Sequence, residues 1–337
     1  MIARRALLLA GAATLAAPAM VRAQAPAVRS YILATASIGG TFYPVGVAIA
    51  TLTKIRLQAA RGIDMSAITS AGSGENIRLL RENHAQFAIL TGLFGMYARD
   101  GSGPVEADGP QRNLRSVTNL WANVNHVTIR NRFVQTGTID DLANLRGRPF
   151  SMAARGSGTE AGNRFVFANL GFDPTIMEQV FLGFTPSAEA MLAGRVDGAN
   201  LDAGVPVAAV TQLFARGAAE FTILEFTEEQ AKRADGGNGL FFRFTIPAGT
   251  YPGLDRPVNT IAQPNFLAVN ADVREDDVYE ITRAIFENLP FLHGIHAATR
   301  EITLETALRG LVNPLHPGAA RYYAEKGVTI PERIRPA

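Results

Sequence analysis

The stretch VRSYILATASIGGTFYPVGVAIATLTKI, Val28 to Ile55, changes character twice. Its first third is apolar and β-rich. From Thr35 to Gly46 it gathers hydroxyls, the Gly39-Gly40 pair, two aromatics and Pro44. After Pro44, apolar residues return at helical spacing. The order is strand, loop, helix. A loop of this composition, opening a helix directly after a strand, presents backbone N–H groups and hydroxyl donors together, which suits a tight turn or an anion.

The same order repeats along the chain. IDMSAITS reads as a strand and AGSGENIRLLREN opens a helix; AQFAILTG is a third strand. RPFSMAA precedes GSGTEAGNRFVFANLGF, with Gly171 as a helix stop, and SAEAMLAGRVDGANL places a stop at Gly194 before another strand. REDDVYEITRAIFENLPFL carries Val278, Ile281, Ile285 and Leu289 at helical spacing, with acids at its start. Such β–loop–α repetition predicts an α/β fold with largely parallel sheets. The Gly/Pro-rich DGGNGLFFRFTIPAGTYPG is expected at the surface.

The 337 residues suffice for two domains; 47% are apolar and 18% charged, so a sizeable core is available. The chain has no cysteine, which excludes disulfides, thiolate metal sites and a cysteine nucleophile. Residues 1–23 have the plan of a secretory signal: Arg4-Arg5, an Ala/Leu run, then small residues before a cut after Ala23. Sec and twin-arginine export both fit, and the expected location is periplasmic. No later segment reaches the ~18 uninterrupted apolar residues of a membrane span. Removing Arg4, Arg5 and Arg22 from 32 basic residues leaves 29 against 30 acidic, so the +2 of the whole chain becomes −1. No clustered Lys/Arg stripe remains, and no nucleic-acid partner is expected.

Three loops share one design: the opening stretch, SAGSGEN (Ser70–Asn76) and AARGSGTE (Ala153–Glu160). Each follows a strand and opens a helix. Taken singly, Ser73 or Thr159 would cap its own helix. Taken together, three such loops at strand ends point to a shared ligand crevice. Arg155 either clamps a carboxylate or lies solvated on the surface. Asp202, at a strand end in NLDAGVP, either faces a ligand ammonium or caps the next helix. Gly156, Gly158 and Ala161 also match a dinucleotide fingerprint, whose ribose-binding acid would have to be Asp173 or Glu178.

Other chemistry is thin. His293 and His296 stand at i, i+3 without an acid beside them and read as packing or surface residues; His84 and His316 read as loop and turn residues, and Trp121 as core or as a cleft wall. No catalytic constellation, metal site or cofactor is expected.

In sequence, LATASIGGTFYPVGVAIA, SAGSGENIRLL, DLANLRGRPFSMAARGSGTEA, AEAMLAGRVDGANLDAGVP, IPAGTYPG, VYEITRAIFEN and NPLHPGAARYYAEKGV resemble the TAXI family of TRAP-transporter solute-binding proteins. The resemblance covers nearly the whole chain after residue 23. It implies a type II periplasmic binding protein: two α/β lobes joined by two crossing strands, a small carboxylate such as glutamate, glutamine or 2-oxoglutarate between them, and a TRAP-type permease as partner. Its motifs match Thr35, Gly39, Gly40, Thr41, Phe42 and Tyr43, then Ser73, Glu75 and Asn76, then Gly156, Ser157, Gly158 and Thr159, and Asp202; ligand contact is expected at all of these except Glu75, and at Arg155. Two departures stand out: Thr91-Gly92 where relatives often carry an acid, and the cation Arg155 where they carry an uncharged residue. Together they favour a dicarboxylate without an amino group. Lobe one is expected at 24–130 and from 263 to 337, lobe two at 131–262. The rival readings are a nucleotide- or phosphate-binding enzyme and the ligand-binding part of a sensor.

Overall fold

The computed structural model describes residues 27–336, so the expected signal segment lies outside the described residues. Among the described residues, eleven strands form two sheets. The first contains β1 (Arg29–Ala34), β2 (Ile63–Ile68), β3 (Phe87–Thr91) and β4 (Leu114–Val124). The second contains β5 (Val127–Arg130), β6 (Pro149–Ser151), β7 (Glu178–Val180), β8 (Gly198–Asn200) and β9 (Phe221–Ile223). The chain then returns to the first sheet with β10 (Phe242–Ile246) and β11 (Val258–Asn270).

The sheets share a plan. In the first, β2, β1 and β3 lie parallel in that order, and β11 joins β3 antiparallel. In the second, β7, β6 and β8 lie parallel, and β5 joins β8 antiparallel. Each sheet is therefore mixed, where the sequence pattern predicts largely parallel ones. The antiparallel members are β5, into which β4 runs straight from the first sheet, and β11, which pairs with β10, β3 and β4 within the first sheet. Short β–loop–α units enforce parallel pairing, and a strand arriving from the other sheet carries no such constraint.

The crossing from β4 to β5 is Asn125–His126. Strand 127–130, which the sequence reading put in lobe one, is hydrogen-bonded into the second sheet. Residues 242–246 and 258–262, which the sequence reading puts in lobe two, pair with each other in the first sheet, although Ile246, Val258 and Ala262 pack into the second lobe's core. β11 is tied to the crossing: the Asn125 N–H donates to Ile261 O at 2.9 Å, and Thr260 Oγ1 donates to Asn125 O at 2.9 Å.

Burial explains the elements. Every residue of β3, FAILT, is buried, as a central strand covered on both faces requires. Helix Phe42–Thr53 turns Val45, Ile49 and Leu52 onto that sheet. The second sheet lies between helices Phe184–Leu192 and Ala208–Gly217 on one face and Gly158–Leu170 and Glu228–Asp235 on the other, with Met191, Val210 and Leu213 in one layer and Val166, Phe167 and Ala231 in the other. Gly171 and Gly194 take the left-handed conformation that ends helices. Helix Glu275–Glu287 buries Val278, Ile281 and Ile285, then breaks at Asn288 ahead of Pro290.

Candidate functional site

Between the lobes lies a narrow cleft with a cavity volume of about 40 Å³. Each of the three expected loops contributes to its wall. From the first come Gly40, Thr41 and Phe42; from the second, Ser73; from the third, Ser157, Gly158 and Thr159. Asp202 lines it too.

The other candidates stand elsewhere. Thr35 is buried beneath the first loop, where its Oγ1 donates to Ile68 O at 2.6 Å. Asn76 is buried and ties loop to strand, its Nδ2 donating to Thr35 O at 2.7 Å and Ile89 O at 2.9 Å. Both shape the loops from behind. Gly39 and Gly156 sit on the lobe–lobe seam, and Tyr43 is half-buried outside the lining. Glu75 reaches back to accept from the Ala71 N–H at 2.7 Å, as Glu160 does for Gly156 at 2.7 Å. Arg155 is exposed and turned away from the cleft. Its guanidinium lies 3.6 Å from the centre of the Phe181 ring.

The lobes meet directly. The Glu75 N–H donates to Gly156 O at 3.2 Å, and the Ala209 N–H to Gly39 O at 3.1 Å. Thr41 Oγ1 donates to Gly204 O at 2.9 Å, and Thr185 Oγ1 to Ile38 O at 3.3 Å. Glycines permit this approach. A Cβ on Gly74 would come 2.5 Å from Gly156 O, and one on Gly158 would come 2.9 Å from Ser73 Oγ.

Capping falls differently from expectation. Neither Ser73 nor Thr159 caps its helix. Ser157 does so for Gly158–Leu170, accepting from the Glu160 N–H at 3.0 Å. Ser73 Oγ instead accepts from the Thr91 N–H at 3.1 Å. Thr41 stands at an N-cap position yet sends its hydroxyl to the other lobe. Asp202 caps nothing, because the next helix is preceded by Val207. At the third loop the N–H groups of Gly158 and Thr159 meet no protein acceptor among the described residues and remain available to a ligand.

The chain matches the NMT1-like family over residues 33–327. It belongs to that family. Among solved structures it is similar to a protein of Bordetella bronchiseptica RB50, at 16% identity and TM-score 0.54 over 90% of this chain and 85% of that one. It is also similar to the alkanesulfonate-binding protein of Xanthomonas axonopodis pv. citri bound to MOPS, at 14% identity and TM-score 0.45 over 93% and 97%. The binding component of a phosphonate transporter from Pseudomonas aeruginosa aligns at 11% identity and TM-score 0.49 over 80% and 78%. Two lobes, two matching sheets and two crossing segments make this NMT1-like protein a type II periplasmic-binding-protein fold, as the sequence resemblance implies.

The electrostatics of the cleft are one-sided. Asp202 is the one ionisable side chain lining it among the described residues. Asn125 Nδ2 donates to its Oδ2 at 3.2 Å, and the His126 N–H reaches Oδ1 at 3.4 Å. Burial pushes the carboxyl up to about 8, against hydrogen bonds from the His126 N–H and the Asn200 side chain. The added cation that favoured a dicarboxylate is thus absent from the lining: Arg155 packs on Phe181. The dinucleotide fingerprint also lacks its acid. Asp173 caps the turn Pro174–Ile176 and Glu178 is exposed on β7.

The sequence does not single out Asn123 or Phe184 as lining residues; Thr91 enters it only as a departure from relatives, and Ser37 only as part of the opening loop. Thr91 carried a signal, since TG-L at the end of β3 repeats the strand–loop–helix design, and Thr91 Oγ1 caps helix Gly92–Asp100. Asn123 lies within a long strand and is aimed by alternation alone. Trp121 is fully buried, edge-on to Phe42, with Gly204 against its ring. His293 ends one helix and His296 starts the next turn, so they share no face. Among the described residues no group of His, Asp or Glu could hold a metal. His316 caps helix Pro317–Glu325, while exposed His84 lies 3.3 Å from Glu82.

Proposed function

We propose that this protein is an extracytoplasmic solute-binding protein that captures a small organic anion between its lobes and delivers it to a TRAP-type permease. One observation carries the reading: three glycine–hydroxyl loops, drawn from both lobes, converge on one cleft whose lining holds free N–H donors and a lone acid. The ligand's carboxylate sits at the Gly158–Thr159 N–H groups and the Ser73 and Thr159 hydroxyls. Asp202 takes the opposite end. It accepts from an ammonium or hydroxyl when ionised and donates to a carboxylate when protonated. With no cation in the lining, an acidic amino acid or a hydroxy acid fits better than a fully ionised dicarboxylate.

The ligand bridges both lobes and stabilises the form in which they touch. Closure strips water from the site and strengthens its hydrogen bonds. Among the described residues nothing in the cleft pairs a nucleophile with a base, and we propose no covalent step. The permease assignment rests on the sequence motifs shared with TAXI proteins.

The first test is a thermal-shift screen with mono- and dicarboxylates, acidic and neutral amino acids, sulfonates and nucleotides. A ligand at ~100 times its Kd adds ~2.7 kcal/mol to the folded state. Stabilisation by one small organic acid, recovered unchanged, is the expected result; stabilisation by nucleotides alone overturns the reading. Uptake by the reconstituted permease should follow an ion gradient and ignore ATP. A strict ATP requirement would sink the TRAP assignment.

A further inference from the structure

IPAGTYPG, Ile246–Gly253, reads from sequence as a surface turn, yet its Tyr251 is 1% exposed. The ring packs against Phe214 and edge-on to His126, with centroids 6.0 and 5.7 Å away. Its hydroxyl lies 2.8 Å from His126 Nε2 and accepts from the Val207 N–H at 3.0 Å. His126 Nδ1 lies 2.8 Å from Val124 O.

The protons in this chain run one way. A carbonyl only accepts, so Nδ1 carries the imidazole proton. Nε2 is then bare, and the Tyr251 hydroxyl donates to it while accepting from Val207. A second ring proton would confront the hydroxyl with a donor. Burial, which pushes His126 down to about 4, keeps the ring neutral.

The chain joins two places that bear on the cleft. His126 lies in the crossing from β4 to β5, and its own N–H reaches Asn200 Oδ1 at 3.1 Å as well as Asp202. Val124 and Ala203 exchange backbone hydrogen bonds at 2.9 and 3.2 Å. The segment 200–207, which carries Asp202, is thus held at its start by residues 124–126. It is held at its end through Tyr251 and Val207.

We infer that Tyr251 and His126 are positioning residues for ligand binding: they clasp the far end of the 200–207 segment to the crossing strand and so fix the Asp202 carboxylate in the cleft. The inference rests on the proposed ligand-facing role of Asp202. Neither side chain lines the cleft, so both act through that segment.

A double-mutant cycle separates positioning from general support. Isothermal titration with L-glutamate as probe would compare wild type, Asp202→Asn, Tyr251→Phe and the double variant. Tyr251→Phe keeps the ring and removes one buried hydroxyl. It should weaken binding about tenfold in wild type and less than about twofold in the Asp202→Asn background. An equal loss in both backgrounds, or none in wild type when Asp202→Asn loses affinity, overturns the clasp. Full affinity in Asp202→Asn, or no binding of the probe to wild type, counts instead against the proposed site. Nitrogen-15 NMR of wild-type His126 then decides the clasp, as it does if Tyr251→Phe fails to fold. The Nδ1–H tautomer unchanged from pH 5 to 8 is expected. The Nε2–H tautomer, or titration in that range, overturns it.

Discussion

Asp202 shares with free N–H groups a cleft whose lining carries no base among the described residues, and its two protonation states face different ligands. With its carboxyl pushed up to about 8, the ligand-free protein holds it protonated at pH 7. An amino acid that places its ammonium there would draw the carboxyl into its ionised form. Binding should therefore release a proton near pH 7, visible as a calorimetric enthalpy that changes with the buffer's ionisation enthalpy. A dicarboxylate would accept the Asp202 proton as a hydrogen bond and release none. The same shift sets a stability trend. The carboxyl binds its proton more tightly folded than unfolded, so its contribution falls as pH rises from about 4 to about 8. Asp202→Asn cannot ionise. It should melt higher than wild type at pH 8.5 and close to wild type at pH 5; a gap that does not grow with pH would refute the assignment. His126 works in the opposite sense: its depressed pKa contributes fully above about 6.5 and is lost as pH falls toward about 4. Asp202 was legible in the sequence as a polar residue at a strand end. Its solitude was not, because that depends on where Arg155 turns, and the Phe181 ring that takes Arg155 lies beyond β7.

Two hydroxyls in the third loop show how alike a structural and a ligand-facing residue look at the scale of an element. Ser157 caps helix Gly158–Leu170, whereas the Thr159 hydroxyl makes no hydrogen bond among the described residues and borders the cleft. Ser157→Ala should cost about 1 kcal/mol in urea unfolding. Thr159→Ala should stay within about 0.5 kcal/mol, and its loss should appear in ligand affinity. Equal destabilisation of the two would mean that Thr159 is structural. GSGT does not say which hydroxyl turns inward, since both assignments satisfy the same composition. The strands divide in a similar way. β1 and β3 were legible because central parallel strands read as apolar runs. β4 and β11 bury both faces as well, but what matters is that β4 runs on into the second sheet at Asn125–His126, and that β11 packs Val258 and Ala262 in one lobe's core and Phe266–Val269 in the other's. Nothing in an apolar run records which sheet it ends in, and so strand 127–130 was placed one sheet early.

At the scale of the whole molecule, the seam between the lobes is built from backbone. Gly156 O accepts from the first turn of helix Ser73–Arg81, and Gly39 O from the first turn of Ala208–Gly217. Each lobe therefore supplies a carbonyl to a helix end of the other, which partly satisfies N–H groups that would face water in an open form. The glycines were legible as loop formers; their closeness across the cleft was not, because it joins residues that are far apart in sequence. Gly74 isolates this contact. It lies inside helix Ser73–Arg81, where alanine would gain about 0.5–1 kcal/mol over glycine in propensity. A Cβ there would meet Gly156 O at 2.5 Å, and that backbone cannot retreat without moving its lobe. Gly74→Ala should accordingly leave thermal stability equal or slightly raised while holding the lobes apart. Small-angle scattering should give a larger radius of gyration than wild type, and the small organic acid that stabilises wild type should bind more weakly to the variant. If the radius and the affinity both match wild type, the seam yields without lobe movement, and closure cannot be set by this backbone contact.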